Sequence, residues 1–166
     1  MQFVEIIDTI NTNFKRGLIP TGEDVPRDHI RVPYGVWDGL AAFLRHEETL
    51  KFDSLMCITG IDEGPEEENL GVIYNLHSMT HGHKVEVRIR VRKSNPVVPS
   101  VEQIWRIADW FEREVYDMYG IKFEGHRDLR RILLPDDWEG YPLRKDYVFP
   151  DTWHGIVVPK VKEGWE

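Results

Sequence analysis

The chain has 166 residues, enough for one domain with a modest core and some excess for tails or partner contacts. Hydrophobic residues make up 41% and charged residues 30%, which excludes a disordered chain, and a formal charge of −8 argues against nucleic acid as a partner. The single cysteine, Cys57, excludes an intramolecular disulfide framework and also a cluster of its own, since iron–sulfur centres need about four thiolates.

In chain order, Phe3, Ile6, Ile7, Ile10 and Phe14 recur at helical spacing, and Gly17 follows as a stop. The N-terminus carries acids where a secretory signal has a basic region, so the chain is expected to stay in the cytoplasm. Residues 17–27 are turn-rich. A short strand is predicted at 29–32, and Pro33 opens a second helix whose stripe is Val36, Trp37, Leu40, Ala41 and Leu44.

Three strands follow. Residues 54–62 are apolar on both faces, as in the middle of a sheet, and Cys57 reads as a buried thiol there. Residues 69–77 come after the acidic turn EGPEEEN, and Val85, Val87, Ile89 and Val91 then alternate with Glu86, Arg88, Arg90 and Arg92, a strand with one buried and one wet face. The longest stretch without charge, Asn69 to His83, is rich in polar residues, so no segment is expected to span a bilayer. His77, His81 and His83 read as solvated turn histidines rather than metal ligands.

Residues 93–99 form a loop, after which Ser100 and Gln103 make a capping box for a long helix that runs to Tyr119 and stops at Gly120. Its stripe is Val101, Ile104, Trp105, Ala108, Phe111, Val115, Met118 and Tyr119, while Trp110, Arg113 and Asp117 fall on the far side. Glu112 sits at the rim of the stripe, where a carboxylate needs a partner; it either snorkels or pairs with Arg130 or Arg131. The order predicts a two-layer α+β domain over 1–120, a small mixed or antiparallel sheet with helices on one face.

Residues 121–166 lack sustained periodicity and form an extended, irregular C-terminal segment. It holds Trp138, Trp153 and Trp165 and a balanced set of charges between His126 and Tyr147, the side chains that anchor interfaces, so its order is expected to come from partners. Asp136 and Asp137 suit a turn or an N-cap before Trp138. His126 to Leu129 spell HRDL, the opening of the kinase catalytic loop, but Ile132 stands where that loop needs Asn, and no GxGxxG or DFG is present. No catalytic constellation assembles, and His126 and His154 look isolated.

The run EREVYDMYGIKFEGHRDLRRILLPDDWEGYPLRKDY, Glu112 to Tyr147, resembles the signature of the C-type, or 30 kDa-type, subunit family of complex I, part of the peripheral arm of NADH:quinone oxidoreductase. The matching residues are Glu112, Arg113, Glu114, Asp117, Gly120, His126, Arg130 and Arg131, then the PDDW and PLRKDY blocks. The resemblance implies a structural subunit on the cytoplasmic side of the inner membrane, held there only through its complex. It would dock beside the quinone-binding, D-type subunit and neighbouring iron–sulfur subunits. NADH, FMN, iron–sulfur clusters and quinone would be handled by those partners, and this chain would hold no cofactor or metal and be inactive alone. The expected interface comprises Trp110, then Pro135, Asp136, Asp137 and Trp138, then Pro142, Leu143, Arg144, Lys145, Asp146 and Tyr147. The equivalent subunit of a membrane-bound hydrogenase, formate hydrogenlyase or deazaflavin-dependent dehydrogenase is the alternative; a stand-alone binding module is a second.

Overall fold

The computed structural model describes residues 1–14, 29–64 and 67–158. Helix α1, Phe3–Asn13, starts where the Glu5 carboxylate accepts the Gln2 backbone N–H at 2.7 Å, and it buries Ile6 and Ile10. The expected stop at Gly17, the turn-rich stretch behind it and Trp165 lie outside the described residues. Strand β1, His29–Arg31, leads through Pro33 and one 3₁₀ turn into helix α2, Trp37–His46. The predicted stripe of α2 is its inner face: Trp37, Leu40, Ala41 and Leu44 are all buried.

Strands β2 (Ser54–Asp62), β3 (Asn69–His77) and β4 (Lys84–Arg92) join β1 in a four-stranded sheet of order β1-β4-β3-β2. The β2-β3 and β3-β4 pairs are antiparallel, while β1 lies parallel to β4 at the far edge. Register aligns Val72 with Ile89, Tyr74 with Val87 and Leu76 with Val85, so the alternation of β4 carries the core face across to β3. Each fully buried aliphatic of this face contributes roughly 1.5–3 kcal/mol. Trp37 of α2 meets Tyr74 with ring centroids 4.5 Å apart, and Ile6 and Ile10 of α1 join the same core.

Helix α3, Ala108–Tyr119, packs on the same side of the sheet. Gly60 of β2 permits this approach, because a Cβ there would stand 2.4 Å from the Tyr119 ring. The helices therefore share one face, and the architecture is the expected two-layer α+β domain.

Six local readings change. Strand β2 is an edge rather than a central strand; its two apolar faces arise because α3 covers one and Ile61 and Cys57 lie on the other. Cys57 is half-buried, and its sulfur accepts the Asn75 side-chain N–H at 3.3 Å. His83 is buried rather than solvated, with Nε2 donating to the Leu50 carbonyl at 2.7 Å. Burial holds its pKa below the usual imidazole value.

The loop after Lys93 also hides a strand, β5 (Val97–Pro99), which pairs in parallel with β6 (Lys122–Glu124). Helix α3 begins at Ala108, eight residues beyond the predicted cap at Ser100; there the Ser100 hydroxyl accepts the Glu102 N–H at 3.3 Å and donates to Glu112, which opens a run of turns before the helix. The core continues past Gly120, since Ile121 and Phe123 are buried. A two-stranded hairpin, β7 (Thr152–Trp153) and β8 (Ile156–Val157), lies near the end of the described chain.

Candidate partner-docking site

The signature segment folds back along α3 and covers much of the far side of the helix, which carries Arg113 and Asp117. Asp117 is fully buried, as is most of Arg113, whereas Trp110 remains 57% exposed. One carboxylate holds the return: Asp117 Oδ2 accepts the backbone N–H of Ile132, Leu133 and Leu134 at 3.1, 2.8 and 3.0 Å, and Oδ1 takes the Arg131 guanidinium at 2.7 Å. Burial alone would raise this carboxyl, but the N–H groups of Leu134, Leu133 and Ile132 together with Arg131 outweigh it and hold the pKa below the ordinary value. Arg131 extends the knot by donating to the Trp138 and Gly140 carbonyls. Arg113 Nε donates to the Arg130 carbonyl at 3.3 Å, and its guanidinium lies 5.1 Å from the centroid of the Trp110 ring.

Glu112 is fully buried, but it pairs with neither Arg130 nor Arg131, because Arg131 is taken by Asp117 and Arg130 by Asp128. Its carboxylate accepts the Ser100 hydroxyl at 2.6 Å and the Val101 N–H at 2.7 Å. Burial pushes its pKa up to about 7, the Ser100 and Val101 bonds pull against that, and the charges of Glu102 and Asp109 add to the rise. A carboxyl raised in the folded state lends stability that is complete below its unfolded value and is lost as pH rises through about 7. The loss is on the order of 3 kcal/mol, for a rise from 4.5 to about 7 at about 1.36 kcal/mol per pH unit. We therefore expect Glu112→Gln to flatten the fall in melting temperature between pH 4.5 and about 7; parallel curves for the two proteins would refute this assignment.

His126 is not isolated. Its Nδ1 accepts the Asp128 N–H at 3.1 Å, so Nε2 carries the ring proton and faces the Asp109 carbonyl at 3.2 Å. The Asp109 and Glu112 carboxylates stand 3.5 and 4.0 Å from it. Glu102, Asp109 and His126 bring potential ligand atoms within 4.8 Å of one another. The tautomer disfavours a metal there: a ligating histidine normally donates its other ring N–H, and here that nitrogen accepts one. Glu102 binds Arg127 instead, accepting its backbone N–H at 3.1 Å and its Nε at 2.9 Å.

The last block closes over the end of α3. Gly120 adopts a left-handed φ of 71°, and a Cβ would come 2.4 Å from the Tyr141 ring, so glycine is needed on both counts. Leu143 N–H bonds the Met118 carbonyl, Arg144 Nε donates to the Tyr119 carbonyl at 2.7 Å, and the Arg144 guanidinium lies 4.8 Å from the centroid of the Tyr141 ring. The Lys145 N–H reaches Asp62 of β2 at 2.9 Å, where Lys93 also binds at 2.8 Å. Residues 121–147 are thus tied to the body by their own chain.

Of the expected interface, Asp136 and Asp137 form the predicted turn, with Trp138 N–H bonded to the Pro135 carbonyl and Asp137 bound to His154. Pro135, Leu143, Lys145 and Asp146 are exposed, as is Glu114; Trp138, Pro142, Arg144 and Tyr147 are partly covered. Leu133, Val148 and Phe149 add exposed apolar surface that no sequence pattern singles out. Glu102 and Asp62 escape a sequence reading as well: each partners a residue far along the chain, and no local spacing marks them.

These features define a small α+β scaffold whose signature segment is strapped across its third helix. Residues 30–152 match the family model described as the respiratory-chain NADH dehydrogenase 30 Kd subunit. Curated relatives named as the C subunit of NADH-quinone oxidoreductase include one from Chloroherpeton thalassium, 54% identical over 74% of this chain, and one from Chlorobium phaeobacteroides, 50% identical over the same share. The matched regions span 51% and 74% of those relatives' own lengths. A trypsin-resistant fragment of Nqo5 superposes with a TM-score of 0.61 at 29% identity, covering 77% of this chain and all of the fragment. A chain of an archaeal membrane-bound sulfane sulfur reductase superposes with 0.69 at 28% identity, covering 87% of this chain and 85% of that one. The chain belongs to the respiratory-chain NADH dehydrogenase 30 Kd subunit family.

Proposed function

We propose that this chain is a docking subunit in the peripheral arm of a proton-translocating NADH:quinone oxidoreductase, seated beside the quinone-binding subunit and neighbouring iron–sulfur subunits. It positions partners and carries no flavin or iron–sulfur cluster of its own. It stands on the cytoplasmic side of the inner membrane and meets the membrane only through the complex; among the described residues no helix is long and apolar enough to cross a bilayer. The observation that carries this reading is the Asp117 knot. A buried carboxylate spends its hydrogen bonds on fixing the signature segment over α3, which leaves Trp110, Leu133, Leu143 and Lys145 rigidly displayed.

The test is cofactor accounting in the purified complex. Cys57→Ser should leave iron and flavin content unchanged, because a single cysteine, its sulfur bonded to Asn75, cannot hold a cluster. Loss of an iron–sulfur signal with the subunit still folded would overturn the reading. A second reading, the equivalent subunit of a related membrane-bound respiratory machine, draws support from the fit to the sulfane sulfur reductase chain. The subunits that co-purify separate the two.

A further inference from the structure

The helices cover one face of the four-stranded sheet, and the other face carries a different chemistry from the rest of this acidic chain. Register lays that face out in rows. Arg31, Arg88, Ile73 and Thr59 stand side by side across the sheet, and Arg90, Gly71 and Ile61 form the next row. Lys84 and Arg92 flank them on β4, and both are exposed. Since Gly71 has no side chain, the centre dips into a groove of about 330 Å³ floored by Ile61, Gly71 and Ile73 and rimmed by Arg31, Arg88 and Arg90.

Two rim arginines are held in place by acids. Arg88 Nε meets Glu86 at 2.6 Å, and Arg90 meets Glu63 at 2.7 and 2.6 Å. A guanidinium has five N–H donors, so each keeps others for an incoming acceptor. The chain as a whole carries −8, which repels an acidic partner everywhere except where basic residues gather. Glu63 and Glu86 interrupt the arginines, which suits spaced carboxylates on a polypeptide better than the continuous charge of a nucleic acid or a lipid surface.

We propose that this open face is a second docking surface, whose groove takes an acidic segment of a partner protein, one aliphatic side chain resting on Ile61, Gly71 and Ile73 and neighbouring carboxylates on Arg31, Arg88 and Arg90. The proposal rests on the assembly reading above and adds the chemistry of the partner. It uses a face remote in sequence from the signature segment, so partners grip this chain from two sides.

The experiment uses the complex purified from membranes with a tagged full-length chain. A photo-crosslinking benzoylphenylalanine at Thr59, exposed in the same row as Ile73, should join a segment of a neighbouring subunit rich in Asp and Glu. Arg31→Glu with Arg88→Glu should cut recovery of that neighbour by about tenfold or more, through like-charge repulsion, while circular dichroism shows the isolated variant still folded. Raising salt should weaken the parent in the same direction. Crosslinks to a basic or uncharged segment, to lipid, or to nothing would overturn the proposal, as would full recovery with both arginines reversed. Each of these leaves the assembly reading standing. A tagged parent chain that brings down no respiratory subunit at all would instead sink that reading.

Discussion

Asp117→Asn is expected to lower the melting temperature of the isolated chain by roughly 6–20 °C, from a loss on the order of 3–5 kcal/mol. The substitution keeps the size of the side chain but removes the negative charge facing Arg131, and it places an amide donor among the N–H groups of Ile132, Leu133 and Leu134. Arg131 is then left mostly buried with only carbonyl partners. The pH dependence has a definite sign. Asp117 is depressed in the folded state, so its contribution is present above the ordinary carboxyl value and disappears as pH falls through the folded one. The parent should therefore converge on the variant under strongly acid conditions. An unchanged melting temperature at neutral pH would mean that the signature segment is not anchored through this carboxylate.

Truncation after Tyr141 should leave a folded body and abolish assembly. The buried core lies before that point, ending with Phe123, so the shortened chain retains its sheet and its three helices. What it loses is the closing block: the Leu143 and Arg144 bonds to the end of α3, the Lys145 bond to Asp62, and exposed Leu143, Val148 and Phe149. Recovery of partner subunits should drop by at least about tenfold, as for the loss of interface anchors worth about 1.4 kcal/mol or more. Arg144→Ala should reproduce part of that loss, because its guanidinium fixes the geometry of the block against Tyr119 and Tyr141. Full assembly and quinone-reductase activity with the truncated chain would move the docking function elsewhere on the molecule.

The elements with strong periodicity are legible in the sequence. Helices α1 and α2 and strand β4 declare themselves through stripes and alternation, because each buries one face and wets the other. The failures share a cause: they depend on contacts distant in sequence. Strands β5 and β6 have three residues each and pair in parallel, so neither carries a pattern of its own. The start of α3 is misplaced because Ser100 opens only a run of turns: its hydroxyl accepts the Glu102 N–H at 3.3 Å and donates to Glu112, and the regular helix begins at Ala108.

The same holds for the candidate site. Glu112 stands at the rim of a stripe and is buried rather than snorkelling, yet its partners, Ser100 and Val101, come from the turn before the helix and not from Arg130 or Arg131. Asp117 falls on the side of the wheel away from the apolar stripe, and a helical wheel cannot see the segment that returns to cover it. His126 looks isolated in the sequence because Asp109 and Glu112 approach it only once β6 has turned the chain back along the helix.

The most direct test of the docking role is native purification of the full-length chain, tagged and expressed in its own cell, followed by mass spectrometry of whatever it brings down. The expected result is an NADH:quinone oxidoreductase, with the quinone-binding subunit in amounts equal to the bait and its iron–sulfur neighbours present. Recovery of the chain alone, as a monomer or with only copies of itself, under conditions that keep the oxidoreductase intact would contradict that role.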